Sequence, residues 1–206
     1  TSRPDFHPSW VPRSYVTQLT LTRLPRHQSE EMVLRVTGGK PMPAEVLAQI
    51  VAKTDGIPLF VEELVKTILE SGLLQEDAGR YGLTGPLPPL AIPATLHDSL
   101  MARLDRLAAV KGLAQLGATL GREFSYELLQ AVSPWDEETL RRGLSQLVEA
   151  EFLYQQGLPP EATYRFKHIL IQEAAYQSLL RSTRQQYHQR IPQVLEERFP
   201  ETAETQ

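Results

Sequence analysis

Cysteine is absent from all 206 residues. Disulfides, thiolate zinc sites and cysteine nucleophiles are excluded with it. The five histidines are scattered, with no pair at ligand spacing, so no metal centre is expected. No apolar run approaches the ~18–20 residues of a membrane span. No secretory leader opens the chain. A soluble, cytoplasmic protein with no membrane partner is therefore expected. An excess of basic charge is missing too. Lys and Arg number 21 against 25 Asp and Glu, for a formal charge of -4. That balance argues against nucleic acid as a partner, although a local basic face remains open.

Catalytic constellations are also missing. No Gly-x-x-x-x-Gly-Lys-Ser/Thr occurs, so nothing here cradles a phosphate chain. Gly38-Gly39-Lys40 lacks the first glycine, the hydroxyl residue and a preceding strand. No apolar strand ends in paired acids that would hold Mg²⁺. Without these groups phosphoryl transfer has no electrostatic clamp, and this chain alone is expected not to hydrolyse ATP. Ser99, Ser125 and Ser145 have no nucleophile-elbow glycines. Asp98 and Asp105 have no partner at glycosidase geometry. No catalytic residue is assigned.

What is present is a core. Hydrophobic residues make up 41% of the chain, enough for one large domain or two small ones. A short strand is expected over 16–21 and ends before Pro25. Helices follow over Ser29–Val36, from Pro43 to near Gly56, and from Pro58 to Gly72, each with an apolar stripe. Residues 73–93, rich in Gly and Pro, read as a linker or a small ribbon around Tyr81 and Leu83. Helices resume at Thr95, with Leu96, Leu100, Leu104 and Leu107 facing inward. Residues 121–167 have the rhythm of a winged helix. Ser125 caps a short helix, and Asp136-Glu137-Glu138 opens a longer one. Strands at 152–154 and 163–166 flank a wing loop, Gly157-Leu158-Pro159-Pro160. Two helical segments end the chain, with Pro192 expected to start, kink or split the second.

Two segments carry the functional argument. Gly56-Ile57-Pro58-Leu59-Phe60-Val61-Glu62-Glu63-Leu64 is a rigid corner that stops one helix and starts the next. It is either a plain helix-turn-helix corner or a fixed bend where a lid closes on a ligand. Glu62 and Glu63 read as solvated helix acids. In Phe166-Lys167-His168-Ile169-Leu170-Ile171-Gln172-Glu173-Ala174-Ala175-Tyr176, a histidine sits where a strand hands over to a helix. It is either a surface or capping residue, or a phosphate contact aided by the helix start. Arg103 and Arg106 read as surface charges. Arg181, Arg184, His188 and Arg190 make the last helices locally basic.

The order of Thr1-Ser2-Arg3-Pro4-Asp5-Phe6, the strand, the Gly-Ile-Pro corner, the winged helix and the Lys-His-Ile segment resembles the signal-transduction ATPases with numerous domains (STAND). Among these it is most similar to bacterial regulators that couple an AAA-type ATPase module to an adenylate cyclase-type or transcription-factor domain. The resemblance implies a nucleotide-binding core, a helical lid and a winged helix, with ADP held between them at rest and ATP opening the module. It implies that Arg3 senses the terminal phosphate. It places Pro58 beside the adenine and ribose with Gly56 as its hinge, and His168 on the β-phosphate of ADP. Plant and animal relatives carry Met-His-Asp at that point. Here it is Lys167-His168-Ile169, so only the histidine carries over.

The fold expected is mainly α: a helical lid plus a winged helix, with a remnant of an α/β P-loop core at the N-terminus. Residues 1–24 would be that remnant, 25–92 the lid and linker, and 93–180 the winged helix. Residues 181–206 would be a final helix leading to a repeat domain. Both ends read as cut. The function implied is the regulatory arm of an ATP/ADP-operated switch, with Mg in the core outside this chain and protein partners reached through downstream repeats. Two alternatives stand beside it. One is a winged-helix interaction or DNA-binding module of a transcriptional regulator. The other is part of an adenylate cyclase whose catalytic domain lies elsewhere.

Overall fold

The computed structural model describes residues 21–86 and 92–198. Arg3 and nearly all of the strand expected over 16–21 lie outside the described residues. The described part is mainly helical, with nine helices and two small sheets. None of these helices is long and apolar enough to cross a membrane.

Three helices build a first core. Helix α1 (Arg26–Val36) buries Val33 and stops at Gly38-Gly39, both at positive φ. Helix α2 (Ala44–Thr54) buries Val46 and Ile50. Helix α3 (Pro58–Glu70) buries Phe60, Val61, Leu64, Val65 and Ile68. Each such side chain contributes about 1.5–3 kcal/mol when removed from water. Gly-rich residues 73–86 form a ribbon, β1 (Leu74–Asp77) against β2 (Arg80–Leu83). Ala78 and Gly79 both take positive φ at its tip, the geometry of a tight hairpin turn. Leu74, Tyr81 and Leu83 lay this ribbon on the first core.

A second core begins at α4 (Leu96–Arg106). Thr95 caps it, its hydroxyl accepting from the Asp98 N–H at 3.0 Å. Helix α5 (Ala108–Leu120) follows. Then comes β3 (Glu123–Ser125), a three-residue strand the sequence did not announce. Ser125 caps α6 (Tyr126–Val132) and Asp136 caps α7 (Glu137–Glu149), as their side-chain chemistry requires. Strands β4 (Leu153–Gln156) and β5 (Thr163–Phe166) complete an antiparallel sheet of order β3-β5-β4. Phe124 sits opposite Tyr164, and Leu153 opposite Phe166, so one face of the sheet enters the core. Helices α8 (Ile169–Gln177) and α9 (Arg181–Arg198) close the unit. Pro192 does not split α9, which runs through it. Pro192 is exposed, so water can take the carbonyl its missing N–H leaves free.

The two cores meet where α3 packs on α4. Leu96 touches both. Otherwise this seam is polar. Thr67 and Ser99 hydroxyls lie 2.5 Å apart, one donating to the other, and the Glu63 carbonyl lies 2.7 Å and 3.1 Å from them to accept the remaining proton.

Candidate functional site at the junction of two helix starts

The Gly-Ile-Pro corner is built by two successive left-handed residues, Asp55 (φ 48) and Gly56 (φ 68). Gly56 is buried, and the Leu24 backbone lies directly on it. The Leu24 N–H donates to the Gly56 carbonyl at 2.8 Å. A Cβ at position 56 would stand 2.2 Å from the Leu24 oxygen. Glycine is required here by contact as well as by φ. Gly56 thus anchors the chain entering α1 onto the α2–α3 corner. Pro58 occupies the first turn of α3 and is exposed beside Ile57, itself 40% exposed.

His168 is the N-cap of α8. Its Nδ1 accepts from the Leu170 N–H at 3.2 Å. An accepting Nδ1 carries no proton, so the neutral ring has its hydrogen on Nε2. That N–H has no protein partner among the described residues. The two meanings the sequence left open for His168 are therefore compatible: one nitrogen caps, and the other is free to donate.

Four charged side chains tie these two helix starts together. Glu62 lies one turn beyond Pro58 on the same face of α3, and Lys167 adjoins His168. Lys167 Nζ donates to Glu62 Oε1 at 2.7 Å and to Glu151 Oε2 at 2.9 Å. Lys66 donates to Glu62 Oε1 at 2.7 Å and also bonds Glu151. Burial pushes the Glu62 carboxyl up, but hydrogen bonds from Lys167 and Lys66 outweigh it and hold the group below its ordinary value. Hydrogen bonds from Lys66 and Lys167 hold Glu151 down to about 2. Burial opposes the charge on Lys167, yet bonds to Glu62 and Glu151 push its pKa up.

A second cluster lies deeper in the seam. Arg103 and Glu63 have side chains 2% and 1% exposed and are paired directly. Arg103 Nε also donates to both Glu70 oxygens, at 3.0 and 3.1 Å, and Nη2 donates to the Ala150 carbonyl at 2.7 Å. Its guanidinium stacks over Phe152, 4.9 Å from the ring centroid. Glu63 Oε1 has no hydrogen-bond partner and faces Lys66 at 4.0 Å. Two expectations are overturned here. Glu62 and Glu63 are not solvated helix acids, because α3 turns them into the contact with the second unit. Arg103 is not a surface charge, because carboxylates and a carbonyl satisfy it inside. Arg106 fits the surface reading better, with a side chain 35% exposed and 3.7 Å from Glu70.

A signal for Arg103 existed: it falls on the Leu96-Leu100-Leu107 stripe at helical spacing. Glu63 likewise lies between Phe60 and Thr67 on one face of α3. Glu151 and Lys167 had no local signal. Gly38-Gly39-Lys40, excluded as a phosphate loop from its sequence, ends α1, and Lys40 pairs with Glu76 at 2.6 Å.

No family model matches the chain. It is 29% identical over 197 residues to an uncharacterized protein of Rhizobium meliloti (strain 1021), an alignment covering 93% of this chain and 18% of that protein. The chain thus spans 18% of the length of the curated relative it matches.

Proposed function

We propose that this chain is the helical lid and winged-helix arm of a signal-transduction switch operated by ATP and ADP. On this reading α1–α3 with the β1–β2 ribbon form the lid. Helices α5–α7 with the three-stranded sheet form the winged helix, and Gly157–Pro160 is its wing. A phosphate-binding core elsewhere in a longer protein supplies the Mg²⁺ site and any hydrolysis. The observation that supports the reading is the Glu62–Lys167 bond, which joins a residue one turn past Pro58 to the neighbour of His168 across two separate cores. Pro58 offers an exposed apolar corner suited to an adenine face. His168 offers an Nε2–H donor suited to a phosphate oxygen. Contacts made in one conformation only are what let a nucleotide shift an equilibrium.

The DNA-binding alternative is less well supported. Arg141 and Arg142 on α7 are each spent on an acid one turn back, Glu137 and Glu138, both at 2.5 Å. Affinity for DNA comes largely from phosphate contacts, and this helix has no free cation to make them. The test of the switch reading is ADP binding and release in the longer protein, comparing the parent with His168→Ala. Losing a hydrogen bond to a charged phosphate costs about 1.5–3 kcal/mol, a roughly ten- to hundredfold weaker Kd. Equal ADP release rates in the two proteins would overturn the assignment. So would the lack of a glycine-rich phosphate loop upstream.

A further inference from the structure

The four-residue cluster has a symmetry that a permanent joint does not need. Glu62 and Lys66 belong to α3 and pair with each other across one helical turn, at 2.7 Å. Glu151 and Lys167 belong to the second unit and also pair with each other, at 2.9 Å. Each side is thus neutral and internally paired. Closing the joint adds two crossing pairs, Lys167–Glu62 and Lys66–Glu151. Opening it removes only these and leaves no charge without a partner. The Arg103 cluster is the reverse. It has no internal substitute for Glu63, so parting α3 from α4 would strand a buried ion pair.

A backbone outlier points to the same cluster. Glu151 sits at φ 60, just past the end of α7. Glycine is the ordinary residue at such a left-handed helix end. A glutamate there carries backbone strain that a glycine would not. Its carboxylate bonds two lysines.

We propose that Glu62, Lys66, Glu151 and Lys167 form a partner-exchanging latch that positions His168 against the Pro58 corner, with the Arg103 seam as the fixed pivot. The latch rests on the switch reading only for what it gates. Swapping both charges of one side preserves the internal pair but makes both crossing contacts repulsive. Swapping both sides makes them attractive again.

The experiment uses the absence of native cysteine. Exposed Ala48 on α2 and Glu161 beside the wing are changed to Cys and spin-labelled. The inter-label distance is then read in four proteins: the parent, Glu151→Lys with Lys167→Glu, Glu62→Lys with Lys66→Glu, and all four changes together. Each single-side swap should raise the long-distance population roughly fivefold, as expected for partly exposed pairs. The fourfold variant should fall back below both. It is compared with the two swaps rather than the parent, because Glu63 faces position 66. Glu151→Gly should lengthen the distance while leaving the thermal midpoint unchanged or higher, since it also relieves the strain. Unchanged distances in the swaps, or no recovery in the fourfold variant, would overturn the latch. Adding ADP to the same set within the longer protein separates the two readings. If no variant binds ADP, the switch reading fails while the distances still decide the latch. If all bind equally, the gating role is overturned.

Discussion

Arg103 and Lys167 both reach carboxylates on α3, but their surroundings differ. Arg103 is sealed between the cores, with its donors distributed over two acids and a carbonyl. Lys167 lies near solvent among groups that already have partners on their own side. In the first cluster, desolvation makes any loss of a partner expensive. In the second, water and local pairs soften the loss. The difference teaches that number of ion pairs says little about strength. What matters is whether each charge keeps a partner after separation.

The sharpest way to break that comparison is Arg103→Leu. It leaves the Glu63 carboxylate buried with only Lys66 nearby at 4.0 Å. Losses of about 3–5 kcal/mol are expected for orphaning one member of a buried pair. Urea unfolding should show this. Changing Glu63→Leu as well should recover a large part, because an apolar pair of similar volume avoids the stranded charge. A single change costing under 1 kcal/mol would mean that the seam is wet and that the two clusters are alike.

Gly56→Ala comes next. The obstructing atom is backbone, Leu24 oxygen at 2.2 Å, so no rotamer change relieves it. The left-handed φ adds strain of its own. The loss should be about 1–3 kcal/mol and should be confined to the first core. Hydrogen exchange in α1–α3 should accelerate while α5–α7 keep their protection. Uniform acceleration would show that the two cores unfold as one, and the pivot-and-latch distinction would lose its meaning.

How much of this was legible follows from the range of each signal. Caps act over three residues, so Thr95, Ser125 and Asp136 could be read directly from side-chain chemistry. Helix stripes in α2 and α3 repeat often enough to be seen. Strand β3 has one buried aromatic, Phe124, and no period to detect. Arg103 was misread because charge was weighed above position on its stripe. For the candidate site, the starts at Pro58 and His168 were visible as helix openings. The link between them was not. It joins residues 62 and 66 to 151 and 167 through folding alone, and Glu151 stands where a local rule asks for glycine. Arg3, expected to sense the terminal phosphate, lies outside the described residues.

The smallest expected effect concerns pH, and its sign follows from the carboxylates of the latch. Lysine hydrogen bonds hold Glu151 down to about 2 and hold Glu62 below its ordinary value. Each carboxyl keeps one lysine in the open form and gains a second on closing, so its pKa is lower closed than open and it favours the closed form fully above the open form's titration range. That contribution fades as pH falls toward the lowered value. The closed population should therefore be constant from neutral pH down to about 5 and should decline between about 5 and 2. Half of the Glu151 side chain meets water, so screening limits the effect to about 1 kcal/mol or less. High salt at neutral pH should imitate the acid response, because it weakens the same crossing pairs. Glu151→Gln should flatten most of it. A joint that opens in acid but ignores both salt and this substitution would place the titrating group elsewhere, and the exposed cluster would then be no more releasable than the buried one.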